Sequence, residues 1–417
     1  MKVLVVGSGG REHAIVWKLL ESPKITKMYC ASGNGGISDL VECVPIAPTD
    51  IEGQVKFAKE NDIDFTVIGM DDPLVMGIVD AFEKEGLKVF GPSKVAAQLE
   101  GSKAFSKELM KKYGIPTAKY ETFNELEKAT EYVGKVAPPI VVKADGLALG
   151  KGVYICQSVI EAKQALKEIM EDKKFGVSGN KVVIEEFLVG EEVSILAFCD
   201  GKTVKPMVSS KDHKKIFDND KGPNTGGMGT VSPVLGYTEE VQKQAMETII
   251  LPTVEALNSE GITYKGIIYY GLIITKEGPK VIEYNARFGD PEAQVVIPRL
   301  DTDILEIFEA CVDGTLDKID IKWKDMAAIC VMLASEGYPG SYEKGYKITG
   351  LENTNSDNVV VFHSGTKKVD DEYLTNGGRV LGVTGFGRTI EEATKTAYEA
   401  VNKINFKGKQ YRTDIWK

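Results

Sequence analysis

Two stretches constrain this chain more than any others: Gly222-Pro223-Asn224-Thr225-Gly226-Gly227-Met228-Gly229 and Glu283-Tyr284-Asn285-Ala286-Arg287-Phe288-Gly289-Asp290. In the second, Val281-Ile282 leads into Glu283, and strand alternation points Glu283 and Asn285 to one face. Two oxygen donors on one face suit a hard divalent cation whose other positions belong to water and nucleotide phosphates, so Mg²⁺ fits better than a Ca²⁺ cage. Arg287 adds a planar cation for a phosphoryl group in transfer. Taken singly, Glu283 or Asn285 reads as a solvated strand end; the set does not. The first stretch has four glycines in eight residues. Such a run has no side chains to pack, so its use is backbone: successive N–H groups can line a concave anion site. Asn224, Thr225, Gly226 and Gly227 are then candidate ligands, beside the basic cluster Lys211-Asp212-His213-Lys214-Lys215. A flexible hairpin tip is the alternative.

These anion-binding features sit in an acidic chain, with 51 Lys and Arg against 61 Asp and Glu and a net charge of -10. That balance argues against a nucleic-acid or anionic-membrane surface and leaves small molecules as partners. A length of 417 residues, 43% hydrophobic, exceeds one domain and predicts three or four. The six cysteines lack CxxC spacing and sit mostly in apolar runs, which predicts buried reduced thiols and a cytoplasmic location. The chain opens directly on a strand without a signal peptide, and no apolar run reaches membrane-spanning length.

Lys2–Val6, the turn Gly7-Ser8-Gly9-Gly10-Arg11-Glu12 and helical spacing from Ala14 predict a doubly wound α/β unit over the first hundred or so residues. Glu12 stands where the dinucleotide fingerprint needs its third glycine, which disfavours an NAD site and a dehydrogenase. Gly9, Gly10 and Arg11 can still offer a helix N-terminus to one phosphate, or form only a tight turn. Ser102 reads as a helix cap before Lys103. Pro139 to Ile155 reads as a strand, a glycine-studded loop and a second strand, with Lys143 at an otherwise apolar strand end. If buried, Lys143 needs an anionic partner; otherwise it snorkels. Val182 to Leu196 reads as two apolar strands joined by an acidic segment, a charged hairpin or an adenine-gripping linker. Gly261–Ile274 and Pro279–Glu283 pair as strands, Pro291–Ala310 is helical with a break at Pro298, and strands followed by the helix from Ile390 close the chain.

Gly7 to Ala14, Lys143 to Ala148, Asp212-His213-Lys214, Gly222 to Gly229 and Glu283 to Glu292, with Gly337-Tyr338-Pro339-Gly340 and His363-Ser364-Gly365-Thr366-Lys367, resemble the phosphoribosylamine-glycine ligase family, within the ATP-grasp superfamily. The resemblance covers the whole chain. It implies an α/β and α+β multidomain protein: an N-terminal doubly wound α/β domain (1–102), an ATP-grasp main subdomain (103–122 and 190–325), a lid subdomain (123–189) and a small α+β C-terminal domain (326–417). It implies ATP, glycine and 5-phosphoribosylamine as ligands of a cytoplasmic monomer. Lys103 and Lys143 would meet nucleotide phosphates, under a lid loop carrying Gly146, Gly150 and Gly152. Glu185, Glu186 and Leu188 would hold adenine, Glu192 the ribose, and Glu283 and Asn285 would bind Mg²⁺ or Mn²⁺. Arg287 and Lys143 would stabilise the transferring phosphoryl group, with Asp212 and His213 handling the amine or acyl phosphate, or ordering their loop. Gly9, Gly10, Arg11, Asn34 and Gly35 would receive the sugar phosphate. Ile267 to Leu272 offers no further acidic metal ligand, so the number of metals stays open. A related carboxylate-amine ligase or carboxylase and a non-catalytic nucleotide sensor are the competing readings.

Overall fold

The computed structural model describes residues 1–148, 152–354 and 356–416. Its first unit is a parallel sheet of β1 (Lys2–Gly7), β2 (Lys27–Ser32), β3 (Glu42–Val44), β4 (Phe65–Ile68) and β5 (Val89–Phe90), ordered β3-β2-β1-β4-β5. β1 is apolar because both faces are covered: Val3 and Val5 enter one core cluster, Leu4 and Val6 another. Strand order reverses between β1 and β4, so the crevice at their carboxyl ends collects the turn before the helix Gly10–Leu19 and Asp71 after β4.

A second sheet, β6 (Tyr120–Phe123), β7 (Ile140–Ala144), β8 (Val153–Cys156) and β9 (Val182–Glu186), is antiparallel and ordered β6-β9-β7-β8. Ile140, Val142 and Ala144 of β7 and Val182 and Ile184 of β9 pack with Ala129, Ala162 and Leu166 from two covering helices. The same alternation sends Lys143 and Glu185 to the opposite face. The third sheet begins with β10 (Glu191–Asp200) and β11 (Val204–Pro206). Four short strands follow, β12 (Lys211–Asp212), β13 (Lys215–Phe217), β14 (Lys221–Asn224) and β15 (Gly229–Ser232), and then the long hairpin β16 (Lys265–Thr275) and β17 (Gly278–Asn285). The order is β11-β10-β16-β17, all antiparallel. β9 and β10 are the two expected apolar strands, but they lie in different sheets. Residues 187–190 therefore cross from one sheet to the other and do not turn a hairpin.

The last unit contains β18 (Ala327–Ser335), β19 (Val359–His363), the ribbon β20 (Thr366–Val369) and β21 (Glu372–Thr375), β22 (Arg379–Gly387) and β23 (Lys409–Gln410). Its sheet runs β12-β15-β18-β22-β19, with β23 also on β18. Two strands flanking the glycine-rich run thus complete the C-terminal sheet, and that run is a seam between units. The helix Ile390–Val401 lies so close to β22 that a Cβ on Gly385 would stand 2.4 Å from the Ala397 nitrogen. The Pro298 break is present, as separate short helices Ala293–Val296 and Ile297–Arg299 before the helix Ile304–Asp313. Among the described residues no helix is long and apolar enough to cross a membrane. All six cysteines are free, five buried and Cys43 half-buried.

Candidate active site

Lys143 is 3% exposed, and its anionic partner is internal: Nζ lies 2.9 Å from Glu185 Oε2 and donates to the Ile282 carbonyl at 3.1 Å. Glu185, expected in the adenine segment, is instead held beneath the cleft by Lys143 and by Lys107. Glu186 is likewise engaged within the protein, accepting the Lys119 N–H at 2.9 Å. The crossing segment retains Leu188, half-buried between exposed Phe187 and Val189, as an apolar lip. Lys103 follows the Ser102 cap, whose hydroxyl accepts from Phe105 N–H at 3.1 Å. Its ammonium donates to the Gly146 carbonyl at 2.8 Å. Gly146 has φ +113°, and a Cβ there would lie 2.7 Å from Ser178 Oγ. Gly152 accepts from the Ala144 N–H, closing the loop at its far end, while Gly150 lies outside the described residues.

Glu283 and Asn285 emerge together on β17, as alternation requires. Against the effect of burial, Lys214, Lys143, Lys103 and Arg287 hold the Glu283 carboxyl below its ordinary value. Lys214, read from the sequence as part of a basic cluster without a role of its own, has its Nζ 3.3 Å from Glu192 and 3.9 Å from Glu283, between the expected ribose and metal positions. Among the described residues Glu283 has no hydrogen-bond donor closer than that lysine, and Asn285 Oδ1 takes only a 3.3 Å bond from Arg287. Among the described residues no group of three or more His, Cys, Asp and Glu could hold an ion unaided. An ionised carboxylate and one amide oxygen nonetheless fit a Mg²⁺ that draws its remaining ligands from phosphates and water.

Arg287 is steered by Glu100, at 2.7 Å from Nη2, with Asp71 at 3.7 Å and the Phe288 carbonyl at 3.2 Å. Its Nε has no hydrogen-bond partner among the described residues. Glu100, unnoticed in the sequence because it follows the apolar Ala96-Ala97-Gln98-Leu99, also accepts the Ala286 N–H at 2.7 Å. Burial pushes its carboxyl up to about 7, with Arg287 opposing.

The expected sugar-phosphate site departs from its sequence reading. Glu12 folds back as an N-terminal cap, Oε2 accepting Gly9 N–H at 2.5 Å and Oε1 pairing with Arg11 at 2.7 Å. Arg11 N–H faces Asp290 at 3.4 Å, and a Cβ on Gly10 would strike Gln294 and Ser364 at 2.5 Å. Against burial, Glu12, Asp71 and Asp290 hold Arg11 above its ordinary value. Two carboxylates therefore already occupy that helix start, and Arg11 is not an uncompensated phosphate ligand. Asn34 is a brace as well: its amide donates to the Ser8 and His363 carbonyls, and its oxygen accepts from Gly36 and Ile37. The Gly35 N–H goes to the Thr366 carbonyl at 3.1 Å.

The glycine-rich run is likewise not an open row of donors. Thr225 N–H meets the Lys214 carbonyl, Gly226 N–H the Tyr338 hydroxyl and Gly227 N–H the Thr225 hydroxyl. Asn224 pairs with Lys215 in the β13-β14 ribbon. The glycines serve close approach: at Gly227, φ +114°, a Cβ would lie 2.5 Å from both Asp212 Oδ1 and Pro291. Arg379, one of few arginines and also missed, grips the carbonyls of Gly226 at 2.7 Å and Asp290 at 2.6 Å. Asp212 Oδ1 has no hydrogen-bond partner among the described residues, and burial, then Glu292, pushes that carboxyl well up. His213 has both ring nitrogens engaged, Nδ1 with the Gly229 carbonyl at 3.3 Å and Nε2 with Trp416 N–H at 3.4 Å. Both ring nitrogens are thus engaged within the protein.

His13 and His363 join the first and last units: the His363 N–H donates to His13 Nδ1 at 2.8 Å. Burial holds His13 down at about 3 and His363 at about 4. The unfolded rings titrate near 6.5, so between those values the unfolded chain binds protons that the folded one refuses. Stability is complete above about pH 6.5 and falls as pH drops toward 4. At pH 5 the expected loss is about 2 kcal/mol per ring. Urea midpoints at pH 7 and pH 5 test this; because burial also holds His213 down at about 4, a His363→Gln chain should lose about a third of the pH dependence due to the histidines, and an unchanged dependence would reject the assignment.

A cleft between two antiparallel sheets, with Lys143 on one of them, Lys103 at a helix start and Lys214 on a connecting segment beside it, and a carboxylate-amide pair on the last strand, defines an ATP-grasp protein. Family profiles described as "Phosphoribosylglycinamide synthetase" match the N domain over residues 1–100, the ATP-grasp (A) domain over 101–293 and the C domain over 328–417. The chain belongs to the phosphoribosylglycinamide synthetase family. It is 50% identical over 415 residues to the phosphoribosylamine–glycine ligase of Caldanaerobacter subterraneus subsp. tengcongensis, covering 100% of this chain and 99% of that one. The ligase of Halalkalibacterium halodurans is 51% identical, with 100% and 96% coverage. Among solved structures, the phosphoribosylamine–glycine ligase of Thermotoga maritima superposes with a TM-score of 0.87 at 36% identity, covering 100% of both chains. The biotin carboxylase domain of Hydrogenobacter thermophilus 2-oxoglutarate carboxylase, complexed with MgADP, ADP and bicarbonate, gives a TM-score of 0.76. At 18% identity, over 98% of this chain and 91% of that one, it shares the fold alone.

Proposed function

We propose that this chain joins the glycine carboxylate to the amine of 5-phospho-D-ribosylamine, giving glycinamide ribonucleotide, ADP and phosphate in purine biosynthesis. The observation that carries the reading is the convergence of Lys103, Lys143, Lys214 and Arg287 on Glu283, in a chain alike over its whole length to ligases of that name. We take it to act as a cytoplasmic monomer on small molecules.

A carboxylate is a poor electrophile because expelling oxide is prohibitive. One glycine oxygen therefore attacks the γ-phosphorus and ADP departs, leaving glycyl phosphate. The ribosylamine nitrogen then attacks the carbonyl carbon, phosphate leaves, and the nitrogen sheds a proton. Lys103, Lys143 and Lys214 offset the triphosphate charge and Arg287 the charge on the phosphoryl group in flight; most of the catalysis is positioning and electrostatics. A divalent cation held by Glu283 and Asn285 would supply further charge neutralisation at the phosphates. The loop around Gly146 and Gly152 covers them and excludes water from the acyl phosphate. Residues 187–189 border adenine, and Glu192 suits the ribose hydroxyls. Asp212, beside the glycine-rich run, is the candidate for handling the amine or the acyl phosphate; burial and Glu292 raise its carboxyl, which favours the protonated form. At the N-terminal crevice Glu12, Asp71 and Asp290 favour sugar hydroxyls over the phosphate expected near Arg11.

Glycine labelled with ¹⁸O in its carboxylate tests the sequence of steps. One labelled oxygen should appear in the released phosphate; unlabelled phosphate would contradict an acyl phosphate.

A further inference from the structure

Lys107 takes no part in the chemistry above, yet it is 2% exposed and therefore held in the core with its charge. Burial pulls its ammonium down to about 8, with Glu185 opposing, so it is mostly protonated at neutral pH. It lies on the helix Lys103–Tyr113, one turn beyond Lys103 and on the same face. Lys107 Nζ stands 3.2 Å from Glu185 Oε1, and Lys143 Nζ stands 2.9 Å from Glu185 Oε2. Lys143 continues to the Ile282 carbonyl. Lys107 donates to Thr117 Oγ1 at 2.7 Å, and that hydroxyl donates to the Val281 carbonyl at 2.7 Å. The contacts close a ring through the helix, β9, β7 and β17. That ring spans the crossing between the two sheets and ends beside Glu283.

We propose that Lys107 is a positioning residue for Lys143: by sharing the Glu185 carboxylate it holds the lid sheet on the metal-bearing strand and leaves Lys143 available to nucleotide phosphate. This rests on the nucleotide reading of the cleft. Two lysines on one carboxylate carry one net positive charge in a buried place, which an anionic ligand of Lys143 offsets. Without Lys107 the pair becomes neutral and one-to-one, and Glu185 retains Lys143. The long aliphatic stem of methionine fills the space without the charge, so the effect falls on charge more than on packing.

The test is steady-state ADP release by the full chain, wild type against Lys107→Met and Thr117→Val, with KM measured separately for ATP and glycine. Lys107→Met should raise the ATP KM roughly tenfold while the glycine KM stays within about twofold, a selectivity that general loosening would not give. Thr117→Val keeps every charge and removes only the anchor of Lys107; it should raise the ATP KM about threefold, and it carries the test if Lys107→Met does not fold. An ATP KM within about twofold of wild type in each variant that folds, or ATP and glycine KM rising together, overturns the inference alone. A wild type that consumes no ATP overturns the nucleotide reading and the inference with it.

Discussion

Lys143→Ala is expected to reduce ATP-driven ligation by about 10²–10³-fold in kcat/KM, the range for losing one preorganised charge at a phosphoryl-transfer site. Lys143 is on the lid sheet but reaches the Ile282 carbonyl on β17, next to Glu283, so its ammonium stands where the two sheets meet. Removing it takes a positive charge from the nucleotide phosphates and releases one tie between lid and main sheet. The fold should survive, because Glu185 keeps Lys107 at 3.2 Å and is not left as an unpaired buried charge. ADP release and thermal unfolding read the two effects separately. A loss below about tenfold in kcat/KM, with a normal melting transition, would remove Lys143 from the phosphate site.

Glu100→Ala should do the reverse, harming the fold as much as the reaction. The carboxylate holds the Arg287 guanidinium at 2.7 Å and the Ala286 N–H at 2.7 Å, and it is 7% exposed. Its loss leaves an N–H unsatisfied and a largely buried cation whose remaining ion-pair partner among the described residues is Asp71, at 3.7 Å. Breaking one side of a buried pair costs about 3–5 kcal/mol. Arg287 would then also drift from the phosphoryl position, so kcat should fall while ATP still binds. Urea unfolding and kcat measure both; a variant as stable as wild type would show that Glu100 does not carry Arg287.

The sequence was most legible where periodicity and residue chemistry agreed. Val3 to Val6, apolar on both faces, marked a parallel central strand; Ser102 marked a helix start; and the alternation through Glu283 and Asn285 survived into β17. Lys143 at an apolar strand end correctly signalled an anionic neighbour, but a sequence cannot say which anion, and the internal one is Glu185. Glycine was the main source of error. Gly226, Gly227 and Gly35 read as ligand-binding backbone, yet their N–H groups are paired within the protein and their missing side chains admit Arg379, Asp212 and the β20 backbone. Such close approaches join segments far apart in sequence, and local pattern carries no trace of them. Lys107, Glu100 and Arg379 carry no local signal for the same reason: each matters through a tertiary partner. Arg11 and Asn34 look like ligands in a motif, and the structure adds internal partners the motif does not show: Glu12, Asp290 and His363.

The central claim is that ATP cleavage here is coupled to joining glycine with a phosphorylated ribosylamine. ADP release from Mg-ATP, with 5-phosphoribosylamine generated in situ, tests it directly when run with both substrates and with each omitted. The account predicts release that requires both and is lost in Lys143→Ala. Release driven by bicarbonate in place of glycine would keep the fold and contradict the substrate, and the absence of release with all substrates present would contradict the account itself.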